Sequence, residues 1–281
     1  MMHRPEDVKD RISNIQQIED IIVAMRGLAA AHSMDARKHL IAIKTYEATV
    51  AEAIAHALAC APGLTPVADE KQEPRVQIRI VIGAEQGFSG TYNDRIVETG
   101  LKPHSTASEY LYMLVGQRCV SEFSMRGQHP IWSSGMVSRI SDVPGLASDM
   151  SDMLFTRLAD HRVDSVVLLS AKPDEHGYSI DERSLMPFDF SRFARSANNR
   201  LPLLTLPPQT LIETLIEEYV FCEMCEALVL AFAAENDARM KAMTRARTNV
   251  QRINIDLQRE YNQARQEQTT TEIIELSSSS P

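Results

Sequence analysis

From Val8 to Ala57 the chain holds no proline and one glycine, Gly27, and a seam of residues returns at alternating steps of three and four. It runs Val8, Arg11, Ile15, Ile18, Ile22, Met25, Ala29, His32, Ala36, His39, Ile43, Tyr46, Val50, Ala53 and Ala57. Most of these are apolar over seven heptads, the spacing that keeps one stripe of a long helix against a partner helix. The other end of the chain supplies the partner. After Pro207 and Pro208, which suit a helix start, nothing from Gln209 to Ser280 is Gly or Pro. There Met243, Ala246, Val250, Ile253, Leu257 and Ala264 form a second seam, while Arg239, Lys241, Arg245, Arg247, Arg252 and Arg259 decorate the other faces. At about 1.5 Å per residue, a helix of some 65 residues would reach about 100 Å and is expected to protrude.

Between these helices the pattern changes to short apolar runs closed by small residues. "RVQIRIVIG" (Arg75–Gly83), "YLYMLVG" (Tyr110–Gly116), "HPIWSSG" (His129–Gly135) and "VDSVVLLSA" (Val163–Ala171) read as strands. Helical stretches at Arg95–Leu101, Arg118–Arg126 and Ala147–His161 separate them, an alternation that predicts a parallel sheet. "HGYSIDERSLMPFDF" adds a late strand expected to run antiparallel. Pro-rich, polar stretches at Ala61–Pro74 and Ser196–Pro208 read as linkers. The expected plan is α/β with long helices: a helix over 1–60, a Rossmann-like α/β domain over 74–200, a helix over 207–276 and a loose tail over 277–281. The two terminal helices would pair as an antiparallel coiled coil.

Composition narrows the classes without naming one. Of 281 residues, 44% are hydrophobic and 24% charged, so wholesale disorder is excluded. No apolar run approaches the roughly 20 residues that span a bilayer, and the N-terminus lacks the apolar core of a secretory signal. The net charge is -9, and it is uneven. Residues 1–58 carry 7 basic and 8 acidic side chains, residues 235–276 carry 7 and 7, and the rest carries 15 and 23. An acidic middle and nearly neutral ends argue against nucleic acid as a partner, since phosphate binding needs a basic stripe. Four scattered cysteines form no disulfide framework.

Candidate chemistry is sparse. "GAEQGFSGTYN" (Gly83–Asn93) follows the first strand and precedes a helix, where glycines can bring backbone to a phosphate. Gly83, Gly87 and Gly90 nevertheless give G-x-x-x-G-x-x-G, and no Lys-Ser/Thr follows, so a tight structural turn is favoured over a nucleotide site. Cys222 and Cys225 form a C-x-x-C inside a helix rather than at its start, which favours burial over redox or zinc chemistry. His32 and His39, seven apart, read as a polar break in the first seam. No catalytic constellation, cofactor site or metal site can be assigned.

Two terminal helices around an α/β insert is an unusual plan, and here the residues resemble the gamma subunit of an F-type ATP synthase. The first helix is similar in Ala24-Met25, the Ala29–Ala31 run and Tyr46; the glycine-rich turn in Gly90, Tyr92 and Asn93. The last helix is similar in Ala238-Arg239-Met240, Ala242-Met243, Asn249, Glu260-Tyr261-Asn262 and Ala264-Arg265-Gln266. The resemblance implies a non-catalytic rotor shaft inside a ring of alpha and beta subunits, with a foot that meets epsilon and the membrane c-ring. It implies no cofactor and a peripheral place on the cytoplasmic face of the bacterial inner membrane. By resemblance Met25, Arg239, Arg265, Gln266, Thr270 and Glu272 fall where the family contacts that ring.

Departures point to a divergent subclass, resembling the alternative sodium- or proton-pumping F-type ATPase that some bacteria keep beside their main synthase. Asp20 and Val23 stand at positions where the family is basic, Leu204 and Thr205 where it has an aromatic-acidic pair, and Ser277–Ser280 where it continues Gly-Ala. Two readings remain beside this one: a nucleotide-binding α/β enzyme using Gly83–Gly90, and a free coiled-coil scaffold.

Overall fold

The computed structural model describes residues 5–60, 76–102, 107–160, 163–175, 177–193 and 204–278. The linker expected at Ala61–Pro74 and most of that at Ser196–Pro208 lie outside the described residues. The described elements are α1 (Pro5–Cys60), β1 (Val76–Ile82), α2 (Tyr92–Leu101), β2 (Glu109–Val115), α3 (Gln117–Met125), β3 (Trp132–Ser134), α4 (Val143–Asp160), β4 (Ser165–Asp174), β5 (Gly177–Met186) and α5 (Pro208–Ser278). One-turn 3-10 helices sit at Ile140–Asp142 and Phe190–Arg192. Ser277, expected in a loose tail, is helical, and residues 279–281 lie outside the described residues. The Ser277 hydroxyl bonds back to the Ile274 carbonyl at 2.9 Å, and the helix continues through Ser278.

The chain divides into two compact units, Met1–Ala30 with Arg239–Pro281, and Ala31–Ala238. The larger unit is built on a five-stranded sheet in the order β3-β2-β1-β4-β5. β1 lies between β2 and β4, parallel to both, and β3 runs parallel to β2. β5 returns antiparallel on β4, as the late-strand reading expected. Both faces are covered, which is why the inner strands read as unbroken apolar runs rather than alternating ones. Ile78, Ile80, Ile82, Met113 and Val115 join one core with Val143, Met150 and Leu154 of α4 and Met224 and Leu228 of α5. Val81, Leu114 and Leu169 face the other way, onto Tyr92, Ile96 and Val97 of α2 and Cys119 and Phe123 of α3.

Within this unit α5 is enclosed on all sides. From Tyr219 to Ala238 every residue except Phe221 and Leu230 is buried, including Glu223, Glu226, Glu235 and Asp237, whose charges are met by partners within the unit. The α1 segment lies antiparallel to it. Ser33 donates to Asp237 at 2.5 Å, and Arg37 pairs with the same carboxylate at 2.8 Å. Farther along α1, Tyr46 donates to Glu218 and Tyr219 to Glu47.

The smaller unit is the antiparallel coil itself. Val8 and Ile12 pack with Leu257 and Tyr261, and Ile22 packs with Met243 and Val250. Glu19 of α1 accepts from Arg247 at 3.3 Å and from Gln251 at 2.9 Å.

The inward seam of α1 keeps the first position of each expected pair and shifts most of the second ones by a residue. Val8, Ile15, Ile22, Ala29, Ala36, Ile43, Val50 and Ala57 face inward. After Val8, Ile15, Ala29, Ala36 and Ile43 the next inward residue lies four on rather than three, while after Ile22 and Val50 the expected Met25 and Ala53 are themselves half-buried. Ile12, Glu19, Ser33, Leu40, Glu47 and Ile54 are buried or half-buried, whereas Arg11, Ile18, His32, His39 and Tyr46 are exposed. The histidine break is therefore not in the seam. Its polar members are Glu19, Ser33 and Glu47, and each is admitted by a hydrogen bond to α5. In α5, Met243, Val250 and Leu257 are buried as expected, but Ile253 is 36% exposed. Asn254 turns inward beside it, with its side-chain oxygen out of solvent.

Candidate functional site

The glycine-rich turn joins β1 to α2 at the end of the central strand. At Gly83 a Cβ would lie 2.4 Å from the Cys119 Cβ, so a side chain there would drive α3 away. Gly90 takes φ +63°, a left-handed conformation that glycine adopts without steric cost. Asn93 Oδ1 accepts from the Ala84 N–H at 3.2 Å, and the Tyr92 hydroxyl donates to the Ala231 carbonyl at 3.1 Å. Gly87 faces open space, and Phe88 stands 69% exposed at φ +62°.

The amides that would cradle a phosphate are already used. The Glu85 and Gln86 N–H groups both donate to the carboxylate of Glu235 on α5, each at 3.3 Å. Glu85 in turn accepts from the Gln117 N–H at 3.0 Å and the Met136 N–H at 2.7 Å. A buried internal carboxylate thus sits where an anionic ligand would sit in a dinucleotide fold. The turn is a fastening between the sheet and α5.

A second fastening joins β5 to α5. Arg183 bonds Asp181 at 2.6 Å, Glu223 at 2.8 Å and Glu226 at 2.5 Å, while Arg192 reaches Glu223 and Lys44 reaches Glu226. Burial opposes the Arg183 charge, but hydrogen bonds to Glu226, Asp181 and Glu223 outweigh it and hold its pKa above the ordinary range. Glu47 lies against the same acids. Burial, and then the charges of Glu226 and Glu223, push its pKa up.

Cys222 and Cys225 behave as small apolar side chains. Burial pushes both thiols up to about 12, the opposite of what a reactive pair requires. Among the described residues no group of His, Cys, Asp and Glu is arranged to hold a metal ion, and no helix is long and apolar enough to cross a membrane.

The ATP synthase family model matches residues 4–280, nearly the whole chain. The chain belongs to the ATP synthase gamma family. Among curated gamma chains it is 24% identical to that of Sulfurihydrogenibium over 280 residues, with 97% of this chain and 96% of the relative aligned. It is 28% identical to that of Halothermothrix orenii over 283 residues, covering 98% and 97%. The fold is that of a chain in the cryo-EM structure of the Euglena gracilis mitochondrial ATP synthase, with TM-score 0.63, 10% identity, and 98% and 92% coverage. A chain of the Tetrahymena thermophila central stalk and c-ring structure gives TM-score 0.59 at 17% identity, covering 80% of this chain and 99% of that one.

The positions singled out by resemblance to the gamma family fall into two groups. Arg265, Gln266, Thr270 and Glu272 are exposed on the last turns of α5. Arg265 and Glu272 are seven residues apart and share one face; Thr270 donates back to the Gln266 carbonyl at 2.8 Å, and Glu272 accepts from Gln268 at 2.8 Å. Met25 and Arg239 are different. Met25 packs with Ile22, Met243 and Val250, and Arg239 is only 9% exposed rather than decorating an outer face. Leu204 is half-buried and Thr205 exposed just before α5.

Sequence reasoning missed Glu235 and Arg183. The one legible signal was the acidic residues, Glu223, Glu226, Glu235 and Asp237, within a stretch of α5 otherwise apolar enough to be core. Charges in such a stretch need partners.

Proposed function

We propose that the chain is the central-stalk rotor of an F-type ATP synthase or ATPase, non-catalytic by itself, coupling ion flow through a membrane c-ring to nucleotide chemistry in an alpha-beta ring. The observation that carries this reading is the smaller unit. Residues 5–30 and α5 from Arg239 as far as Tyr261 form a two-helix coil with its own apolar seam, while Ile18, Ile21, Leu28 and Ile255 remain exposed on its outside and Ile273 and Ile274 are exposed farther along α5. A pair of helices with a closed seam, and apolar side chains left exposed among charged ones outside it, suits an element that turns within a surrounding sleeve.

In this reading the shaft acts by differential contact. Its two faces differ, so each orientation favours a different state in each beta subunit, and rotation shifts those populations in turn. Arg265, Gln266, Thr270 and Glu272 supply ring contacts directly. Met25 and Arg239 act through the coil that presents them. The sheet unit serves as the foot, meeting epsilon and the c-ring, and the complex sits on the cytoplasmic face of a bacterial membrane, in the subclass that pumps sodium ions or protons.

The test is purification of the tagged chain from its native cells. The reading expects alpha and beta subunits to co-purify with ATPase activity, and the isolated chain to hydrolyse no ATP. Sustained turnover by the pure chain, or its recovery as a free homodimer, contradicts the reading.

A further inference from the structure

The two edges of the sheet are defended differently. β5 spans ten residues and carries Asp181, Glu182 and Arg183, charges that discourage strand addition. β3, at the other edge, is Trp-Ser-Ser and carries no charge; among the described strands only β2 pairs with it. Beside β3 lies a groove of about 460 Å³ bounded on its far side by Asp149, Asp152 and Met153 of α4. Asp149 and Asp152 are exposed, and neither carboxylate meets a cation among the described residues.

A sheet edge flanked by a helix-lined groove is the geometry by which extended peptides add a strand, with backbone pairing for affinity and the groove side chains for selection. Here the selecting groups are specific. Trp132 and Met153 offer apolar surface, and the two carboxylates, three residues apart, lie on one face of α4. No basic side chain lines the groove. We infer that β3 and this groove dock an extended segment of a partner protein bearing lysine or arginine, which adds as a strand beside Trp132–Ser134 while its cations meet Asp149 and Asp152. Three residues of strand provide few backbone bonds, so the charge contacts must contribute much of the affinity. The inference does not depend on the rotor reading: it concerns the sheet unit alone, and its test measures neither ATP hydrolysis nor assembly.

Trp132 is the only tryptophan in the chain and reports on the site directly. The full chain is titrated with a blocked Val-Lys-Val-Lys-Val-Thr peptide while Trp132 emission is followed and hydrogen exchange is measured at Trp132–Ser134. We expect a saturable emission change and slowed exchange at those amides. Replacing both lysines by glutamate should abolish both signals; N-methylating the peptide edge that pairs with β3 should abolish them too, whereas N-methylating the opposite, solvent-facing edge should leave them. D149K/D152K should weaken binding at least about tenfold, because like charges across an interface repel; D149N/D152N serves if that variant fails to fold. The inference is overturned if no saturable change appears, if the glutamate peptide binds equally, if the peptides methylated on either edge both bind as the parent does, if exchange at β3 is unaffected, or if folded charge variants bind unchanged.

Discussion

Glu235 accepts the backbone N–H of Glu85 at 3.3 Å, so a buried carboxylate of α5 occupies the anion position at the end of β1. In a dinucleotide fold that position belongs to the ligand. The full chain is therefore predicted to show no saturable heat on calorimetric titration with ATP or NAD. Saturable binding lost on altering the turn would revive the enzyme reading.

Removing that carboxylate should loosen the same turn. Glu235→Ala leaves the half-buried Glu85 amide and the Gln86 amide, on an exposed residue, without this acceptor; water can take part of its place, so each lost bond should cost about 0.5–1.5 kcal/mol. Hydrogen exchange at residues 85 and 86 is expected to accelerate, with a lowered melting temperature. Unchanged protection would mean the amides find other partners.

Gly83 is required by proximity. Gly83→Ala should destabilise the sheet unit, because its Cβ would meet Cys119 Cβ at 2.4 Å. Cys119→Ala keeps that Cβ and should rescue little, whereas Cys119→Gly should restore much of the loss. Equal rescue by both, read from thermal melts, would show that the sulfur rather than the Cβ is the obstacle.

The charged cluster on α5 makes stability depend on pH in two opposing directions. The Glu47 pKa is raised by burial and by Glu226 and Glu223, so its contribution is present below the ordinary glutamate range and lost as pH rises through the raised value. Glu47→Gln should thus be more stable than the parent at neutral pH, the gain fading in acid. Asp181 is opposite. Burial raises its pKa, but Lys172 and Arg183 lower it further, so its contribution is lost as pH falls through the lowered value. Arg183→Met takes the guanidinium from Glu223 and Glu226 but leaves Arg192 on Glu223 and Lys44 on Glu226, so it should destabilise by less than the roughly 3–5 kcal/mol of a fully stranded buried charge. Urea unfolding from acid to neutral pH separates the three effects.

The coil register is tested by neighbours in sequence. Leu257→Ala removes a side chain only 4% exposed and should cost about 2–5 kcal/mol, whereas Ile253→Ala, at 36% exposure, should stay within about 0.5 kcal/mol. The same contrast is expected between Ile12→Asn and Arg11→Asn in helical melts. Equal losses in either pair would place the seam where the apolar count alone puts it.

That contrast also shows what the sequence made legible. The long helices, the alternation of strands and helices and the antiparallel late strand followed from periodicity and from Gly and Pro placement, because those features act locally. The second seam position did not. Ile18 outranks Glu19 on hydrophobicity, yet Glu19 turns inward because Arg247 and Gln251, more than two hundred residues away, satisfy it. Glu235 was hidden for the same reason, since its partners are backbone amides that no composition reveals. In the glycine-rich turn, spacing argued against phosphate binding, but only the structure identified the group that fills the place.

The most direct test of the rotor reading is to attach a visible probe to the sheet unit of this chain within the purified complex, fix the alpha-beta ring to a surface, and add ATP. The account predicts ATP-dependent rotation of the probe in one direction, slowed by variants at Arg265 or Gln266 that leave the coil folded. ATP hydrolysis by the same immobilised complexes with the probe unlinked to surface and yet stationary would contradict it.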